Sequence, residues 1–210
     1  MRAITISLFV LLLSAGAVFA QECGPNCPVC SGAGGTGGTL VAPRSIMFSA
    51  MSIPGADEER AVFAIRYGLF SWLDAGVGYA ARTEEVLWNL RFQPLTERSG
   101  WRPGVVLGTG SVRTGGTDQS LYVQLVKSWD AGPALNLNLS AGAATLAPDF
   151  DESFGLAGAT VTFLTQFGVF ATYDGASFHE GASWSPSEWL SLSFLMVESD
   201  LPAIAATLRL

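Results

Sequence analysis

The chain has 210 residues, 49% apolar and only 14% charged, with a formal net charge of −7, 24 Gly, 6 Trp, one His and one Lys. Its charged fraction falls well below the roughly 25% of a soluble domain. That composition excludes a disordered chain, which needs low hydrophobicity with high charge. It also excludes a nucleic-acid binder, which needs clustered Lys and Arg, so no nucleic-acid partner is expected; the length fits one domain.

Residues 1–20 read MRAITISLFVLLLSAGAVFA. Arg2, an apolar run from Ile6 to Leu13 and small residues ending in Ala20 form the three regions of a secretory signal, with cleavage expected after Ala20. The apolar stretch is too short for a comfortable membrane-spanning helix. Nothing later approaches 18 consecutive apolar residues, so the exported chain, if it enters a membrane, does so as strands.

Residues 21–44 (QECGPNCPVCSGAGGTGGTLVAPR) have no apolar period and read as a flexible Cys/Gly-rich leader. Cys23, Cys27 and Cys30 are disulfide or metal candidates. The piece CPVCSGAG fits the C-x2-C-x-G-x-G unit and resembles the zinc-binding modules of DnaJ-type chaperones. It occurs once here, and three thiolates leave a tetrahedral zinc site one ligand short. In an oxidising compartment a disulfide with one thiol left over is the expected arrangement. No metal and no cofactor is therefore assigned.

From Ser45 to Leu210 the punctuation is Pro54-Gly55, Ser99-Gly100, Gly115-Gly116, Gly132-Pro133, Asp174-Gly175, Ser185-Pro186 and Pro202. Between these turns the pattern repeats every two residues. Val86, Trp88, Leu90 and Phe92 alternate with Glu85, Asn89, Arg91 and Gln93, with Leu87 as the exception. Leu135, Leu137, Leu139 and Ala141 oppose Asn136, Asn138, Ser140 and Gly142; Leu190, Leu192, Phe194 and Met196 oppose Ser191 and Ser193. Such alternation predicts strands with one apolar and one polar side. Candidate strands fall at 45–53, 61–68, 74–82, 85–93, 104–113, 120–129, 135–144, 155–164, 167–174, 178–184, 189–198 and 202–210.

The expected fold class is all-β, an antiparallel up-and-down transmembrane β-barrel of about 10–12 strands over 45–210. A soluble sandwich also alternates, but its outward side carries dense charge. Here the polar side is mostly Asn, Ser, Thr, Gln and Gly, which suits a narrow polar lumen. Tyr67, Phe70, Trp72, Trp101, Trp129, Trp184 and Trp189 gather near strand ends, where a barrel places its interfacial aromatics. The last strand sets Ile204, Ala206, Leu208 and Leu210 on one face. An apolar C-terminal residue of that kind resembles the signal read by barrel-assembly machinery, although that signal usually ends in Phe.

The segments YGLFSWLDAGVGYA (67–80) and YDGASFHEGASWSPSEWLSLSF (173–194) resemble hairpins of outer-membrane barrels of the YjbH type, which are associated with exopolysaccharide. The resemblance covers two short stretches and implies an outer-membrane location, with outer-membrane lipid, the assembly machinery and surface polysaccharide as partners. It carries no catalytic residue across.

His179, the only His, lies beside Glu180 and near Asp174 and Ser177. A barrel hydrolase or transferase acting on lipid or peptide would have to use it. Sequence neighbours on a strand point to opposite faces, however, and a triad needs convergence, so no enzyme is expected and a turn or rim histidine is the reading. The inward polar set is Arg66, Glu85, Asn89, Arg91, Gln93, Gln124, Asn136, Asn138 and Arg209. Arg suits a confined network because its planar fork holds several acceptors. The acidic groups Asp57-Glu58-Glu59 and Asp149, Asp151, Glu152 read as solvated loops, since they lack the ligand spacing of a calcium loop. The expectation is thus a passive envelope barrel, structural or transporting small solutes or polysaccharide; the alternatives are the barrel enzyme and an exported soluble β-sandwich binding module.

Overall fold

A strand that is apolar on one face and polar on the other has no stable existence alone. Pairing such strands edge to edge until the sheet closes satisfies every backbone N–H and C=O without leaving an edge. The computed structural model describes residues 40–55, 61–81, 84–111, 119–132, 134–175 and 177–210. In it the chain takes that solution, a closed antiparallel barrel in which each strand pairs with its neighbours in sequence and β12 returns to β1. The strands are β1 (Ile46–Ser52), β2 (Ala61–Phe70), β3 (Leu73–Ala80), β4 (Glu85–Leu95), β5 (Gly104–Ser111) and β6 (Gln119–Asp130). They continue as β7 (Leu135–Ala147), β8 (Ser153–Phe163), β9 (Phe167–Tyr173), β10 (Phe178–Ser187), β11 (Leu190–Val197) and β12 (Leu201–Arg209). Among the described residues no helix is long and apolar enough to cross a membrane.

Twelve strands are present, each with ends within three residues of those expected from the alternation. Two expected turns fall elsewhere. Ser185-Pro186 lies within β10 and Pro202 within β12. Proline removes a ladder donor, so it is tolerated where pairing is already interrupted. Pro186 sits in the register shift between Trp184 and Ser187, and Pro94 in the corresponding shift of β4 between Phe92 and Leu95. Pro202 is the second residue of β12, next to the turn. The Gly115-Gly116 turn, Pro133, Asp57-Glu58-Glu59, the signal segment and all three cysteines lie outside the described residues.

An even strand number brings both ends of the barrel to one rim. Ile46 and Leu210 exchange both backbone hydrogen bonds there, each 2.8 Å. The same terminal rim carries the connections 71–72, 96–103, 131–134, 164–166 and 188–189. Trp72, Trp101, Trp129, Trp184 and Trp189 all lie on or within one turn of it. Trp72 stacks on Phe70 at 5.0 Å and meets Phe92 edge-on at 5.5 Å, while Trp101 meets Trp129 at 6.3 Å. Tyr67 and Phe70 are exposed beside them.

Outside, the wall between the rims is apolar. Phe63, Ile65, Val77, Trp88, Leu90, Leu125, Val169, Phe194 and Ile204 all point outward and are exposed. A continuous apolar belt of this extent is incompatible with a water-facing surface. It is the lipid-facing band of a membrane barrel, and the closed topology removes the two-sheet core that a sandwich requires.

Candidate functional site: the inner wall

Inward positions follow every second residue of each strand. On β3 these are Asp74, Gly76, Gly78 and Ala80, so a single carboxylate stands among residues too small to cover it. Arg91 on β4 is its cross-strand partner. The guanidinium holds it at two points, Nε to Oδ1 at 3.0 Å and Nη2 to Oδ2 at 2.6 Å, with both side chains almost fully buried. A bidentate pair fixes geometry as well as charge. Oδ2 also accepts the Val41 backbone N–H at 2.8 Å.

Arg66, one strand away on β2, has no such partner. Its Nη2 donates to Asn89 Oδ1 at 2.8 Å, and Asn89 is placed by Gly76, whose missing side chain leaves room for the amide. Its Nη1 is buried and meets no hydrogen-bond acceptor among the described residues. Tyr122 reaches toward the same wall by lying across Gly108, where any side chain would collide with the ring. Among the described side chains of β2–β6 the inward charges are two guanidiniums and one carboxylate.

The other half of the lumen, β7 to β12, is lined by hydroxyls. Ser140, Thr160, Thr172, Ser193 and Thr207 are at least 93% buried and find no partner for their oxygens among the described residues. A hydroxyl left unsatisfied in a dry interior costs about 1–3 kcal/mol. Five on one wall make the lining of this half polar, although the oxygens themselves have almost no exposed surface. Toward the far rim the lining turns apolar: Met51, Ile53, Val62, Phe170, Leu195, Val197, Ala203 and Ala205 form one packed cluster.

Of the inward polar set, Arg66, Arg91 and Gln124 are buried in the wall, and Asn89, Gln93 and Asn138 are half-buried there. Asn136 sits at the terminal rim and donates to Asp130 Oδ1 at 2.7 Å. Arg209 shares the inward register of Met47 and Arg66 but ends its strand exposed. Glu85 pairs in register with Ala80; its side chain lies outside the described residues. Asp74 and Tyr122 belong to this constellation without having been singled out in the sequence. The signal for Asp74 was available, as the one charge in the small-residue alternation 74, 76, 78, 80.

His179 is fully buried, the second residue of β10, on the inward face near the far rim. Its Nδ1 accepts the Glu198 backbone N–H at 3.1 Å, so Nε2 carries the proton toward Asp174 Oδ2 at 3.0 Å. Asp174 Oδ1 in turn accepts the Ser177 N–H at 2.9 Å. In a hydrolytic triad the carboxylate orients one ring nitrogen while the other faces the nucleophile. Here that second nitrogen is occupied by backbone, and the dyad serves to close the 174–177 connection. No cluster of three metal-ligating side chains occurs among the described residues.

One charged pair lies on the outside. Lys127, on the lipid-facing side of β6, donates from Nζ to Glu97 Oε1 at 2.7 Å and to Arg98 O at 3.0 Å, and sits 5.6 Å from the Trp129 ring centre. Ser128 N–H donates to the same carboxylate oxygen at 2.9 Å. Partial burial alone would raise the Glu97 pKa; these hydrogen bonds and the lysine's charge outweigh it and hold the carboxyl below its usual range.

An apolar outer belt, an aromatic terminal rim and a polar inner wall on twelve closed strands define the architecture of an outer-membrane β-barrel. No protein-family model matches the chain, and no curated protein sequence does. Among solved structures it is similar to the KdgM porin in complex with disordered oligogalacturonate, with a TM-score of 0.55 and 14% identity over 79% of this chain and 97% of that one. It is also similar to the COG4313 outer membrane channel from Pseudomonas putida F1, with a TM-score of 0.46 and 9% identity over 82% of this chain and 97% of that one. At this identity the first likeness establishes the fold. Neither supports the YjbH-type resemblance of 67–80 and 173–194.

Proposed function

We propose that the protein is a passive channel of the bacterial outer membrane for small polar solutes, with a preference for anionic, hydroxyl-rich ones such as acidic saccharides. The observation that carries this reading is the inner wall itself: inside a closed apolar belt stand the Arg66 and Arg91 guanidiniums, a single described carboxylate, Asp74, and a band of hydroxyls on β7 to β12. A guanidinium offers a planar fork to a carboxylate, and hydroxyls offer donors and acceptors to a sugar. The KdgM porin, which shares the fold, was solved in complex with disordered oligogalacturonate. Surface polysaccharide as a cargo or partner, export by the 1–20 segment, and insertion by the assembly machinery all belong to the same proposal.

The test is reconstitution. Purified protein that migrates faster unboiled than boiled, and that then gives discrete, anion-preferring conductance steps in a planar bilayer, is expected. Extraction into aqueous buffer without a heat-dependent shift would overturn the membrane reading. A folded barrel that never conducts would overturn transport. A His179→Ala protein that lost a demonstrable hydrolytic activity would restore the enzyme alternative.

A further inference from the structure

Residues Leu40 to Arg44 precede the barrel yet pack inside its mouth. Ala42-Pro43-Arg44-Ser45 closes a tight turn, with Ser45 N–H donating to Ala42 O at 3.1 Å. Proline at the second position and a left-handed third residue, Arg44 at φ 64°, are the requirements of a type II turn. Arg44 N–H then donates to Gly68 O at 2.8 Å, and Gly68 N–H to Ser45 O at 3.1 Å. Gly68 faces inward on β2, and a side chain there would collide with the backbone carbonyls of Val41 and Ala42. The chain therefore crosses the inner face of β2 at the one residue that lets backbone lie on backbone. It reaches Asp74 on β3 through the Val41 N–H.

We infer that Leu40–Arg44 is an internal strap that narrows the terminal mouth of the lumen and is pinned there by Asp74. Asp74 pairs in register with Gly68, and Arg66 stands two residues along β2 on the same face. Diagonal neighbours of this kind lie about 7–8 Å apart, within reach of a long side chain. Asp74 joins three elements at the mouth: Oδ1 and Oδ2 accept from Arg91 on β4, and Oδ2 accepts from the strap as well. With the strap displaced, Oδ2 loses one of its two donors, the charge of the site is unchanged, and the mouth widens by the width of a backbone.

This rests on the channel reading, and the experiment separates the two. Gly68→Ala forces the strap off the wall sterically; Val41→Pro removes the donor to Asp74 and leaves Gly68 intact. Both variants, purified as folded, heat-modifiable full chains, should show larger unit conductance than the parent in planar bilayers. Their reversal potential in a potassium chloride gradient should stay close to the parent's, because neither substitution changes a charge. Amide hydrogen exchange of the same detergent-solubilised proteins provides the second readout: Val41, Arg44 and Ser45 should be protected in the parent, with protection lost in Gly68→Ala. Parent-like conductance in both variants, or unprotected amides at 41, 44 and 45 in the parent, would overturn it. If no protein conducts, the channel reading falls, and the exchange pattern alone decides whether the strap exists.

Discussion

Two ion pairs in this barrel use the same chemistry in different solvents. On the inner wall Arg91 and Asp74 pair at two points while a second guanidinium, Arg66, stands beside them without a carboxylate. On the outer wall the chain's only lysine, Lys127, is brought under a loop that supplies Glu97, a backbone carbonyl and an aromatic face. A cation facing lipid has to be neutralised by protein, because hydrocarbon offers nothing. A cation facing the lumen can be left to water or to a solute. The contrast follows the two faces of the wall, polar inside and apolar outside.

The largest expected effect comes from breaking the inner pair. Asp74→Ala leaves Arg91 buried and uncompensated and also releases the strap, so a loss of about 3–5 kcal/mol is expected. Urea titration of the lipid-reconstituted barrel, read by the gel-mobility shift, measures it.

Arg66→Met sharpens the comparison from the other side. Arg66 makes no direct ion pair among the described residues, so an apolar side chain of similar length should leave stability unchanged or raise it. Anion preference should disappear, seen as a reversal potential moving to zero or to the cation side. A variant that kept its anion preference would place the selectivity elsewhere.

The hydroxyl wall tests whether the inside is wet. In a hydrated lumen Thr172→Val replaces a water-bound hydroxyl and should leave stability nearly unchanged or slightly lower. In a dry lumen the same substitution would remove an unsatisfied group and stabilise the barrel by about 1–3 kcal/mol, a sign that urea titration resolves.

The smallest effect belongs to the outer pair, which sits at the interface rather than at mid-depth. Glu97→Gln should cost no more than about 1 kcal/mol, as charges near the bilayer surface do, and partial exposure screens it further. The carboxyl's folded pKa lies below its usual range. Its contribution is therefore present at neutral pH and is lost as pH falls through that lowered value. The parent should lose this small increment on acidification, and Glu97→Gln should not.

Much of this architecture was legible because alternation is a local signal. The runs at 86–92, 135–141 and 190–196 assign an inward and an outward face to each residue regardless of the partner strand, and the aromatics near strand ends mark a rim. In the sequence the strand number is open between ten and twelve because 45–53 is plain in composition and 178–184 is short and polar. Ser185-Pro186 reads as a turn that ends the latter, whereas a bulge carries the strand past that proline. The apolar part of the lumen is legible only through parity. Ile53, Leu87, Leu195 and Val197 are buried inside, and polarity alone would have sent them to lipid. Only their parity relative to neighbours such as Ser191 and Ser193 reveals the side. Which arginine pairs and which does not depends on register between strands, since Asp74 meets Arg91 through a cross-strand alignment that no single strand encodes.

The most direct measurement of the central claim is the reversal potential of single channels formed by the purified, heat-modifiable parent protein across a salt gradient. The account predicts discrete conductance with anion preference, abolished in Arg66→Met. A folded barrel that conducts nothing, or one that conducts with cation preference in the parent, would contradict it.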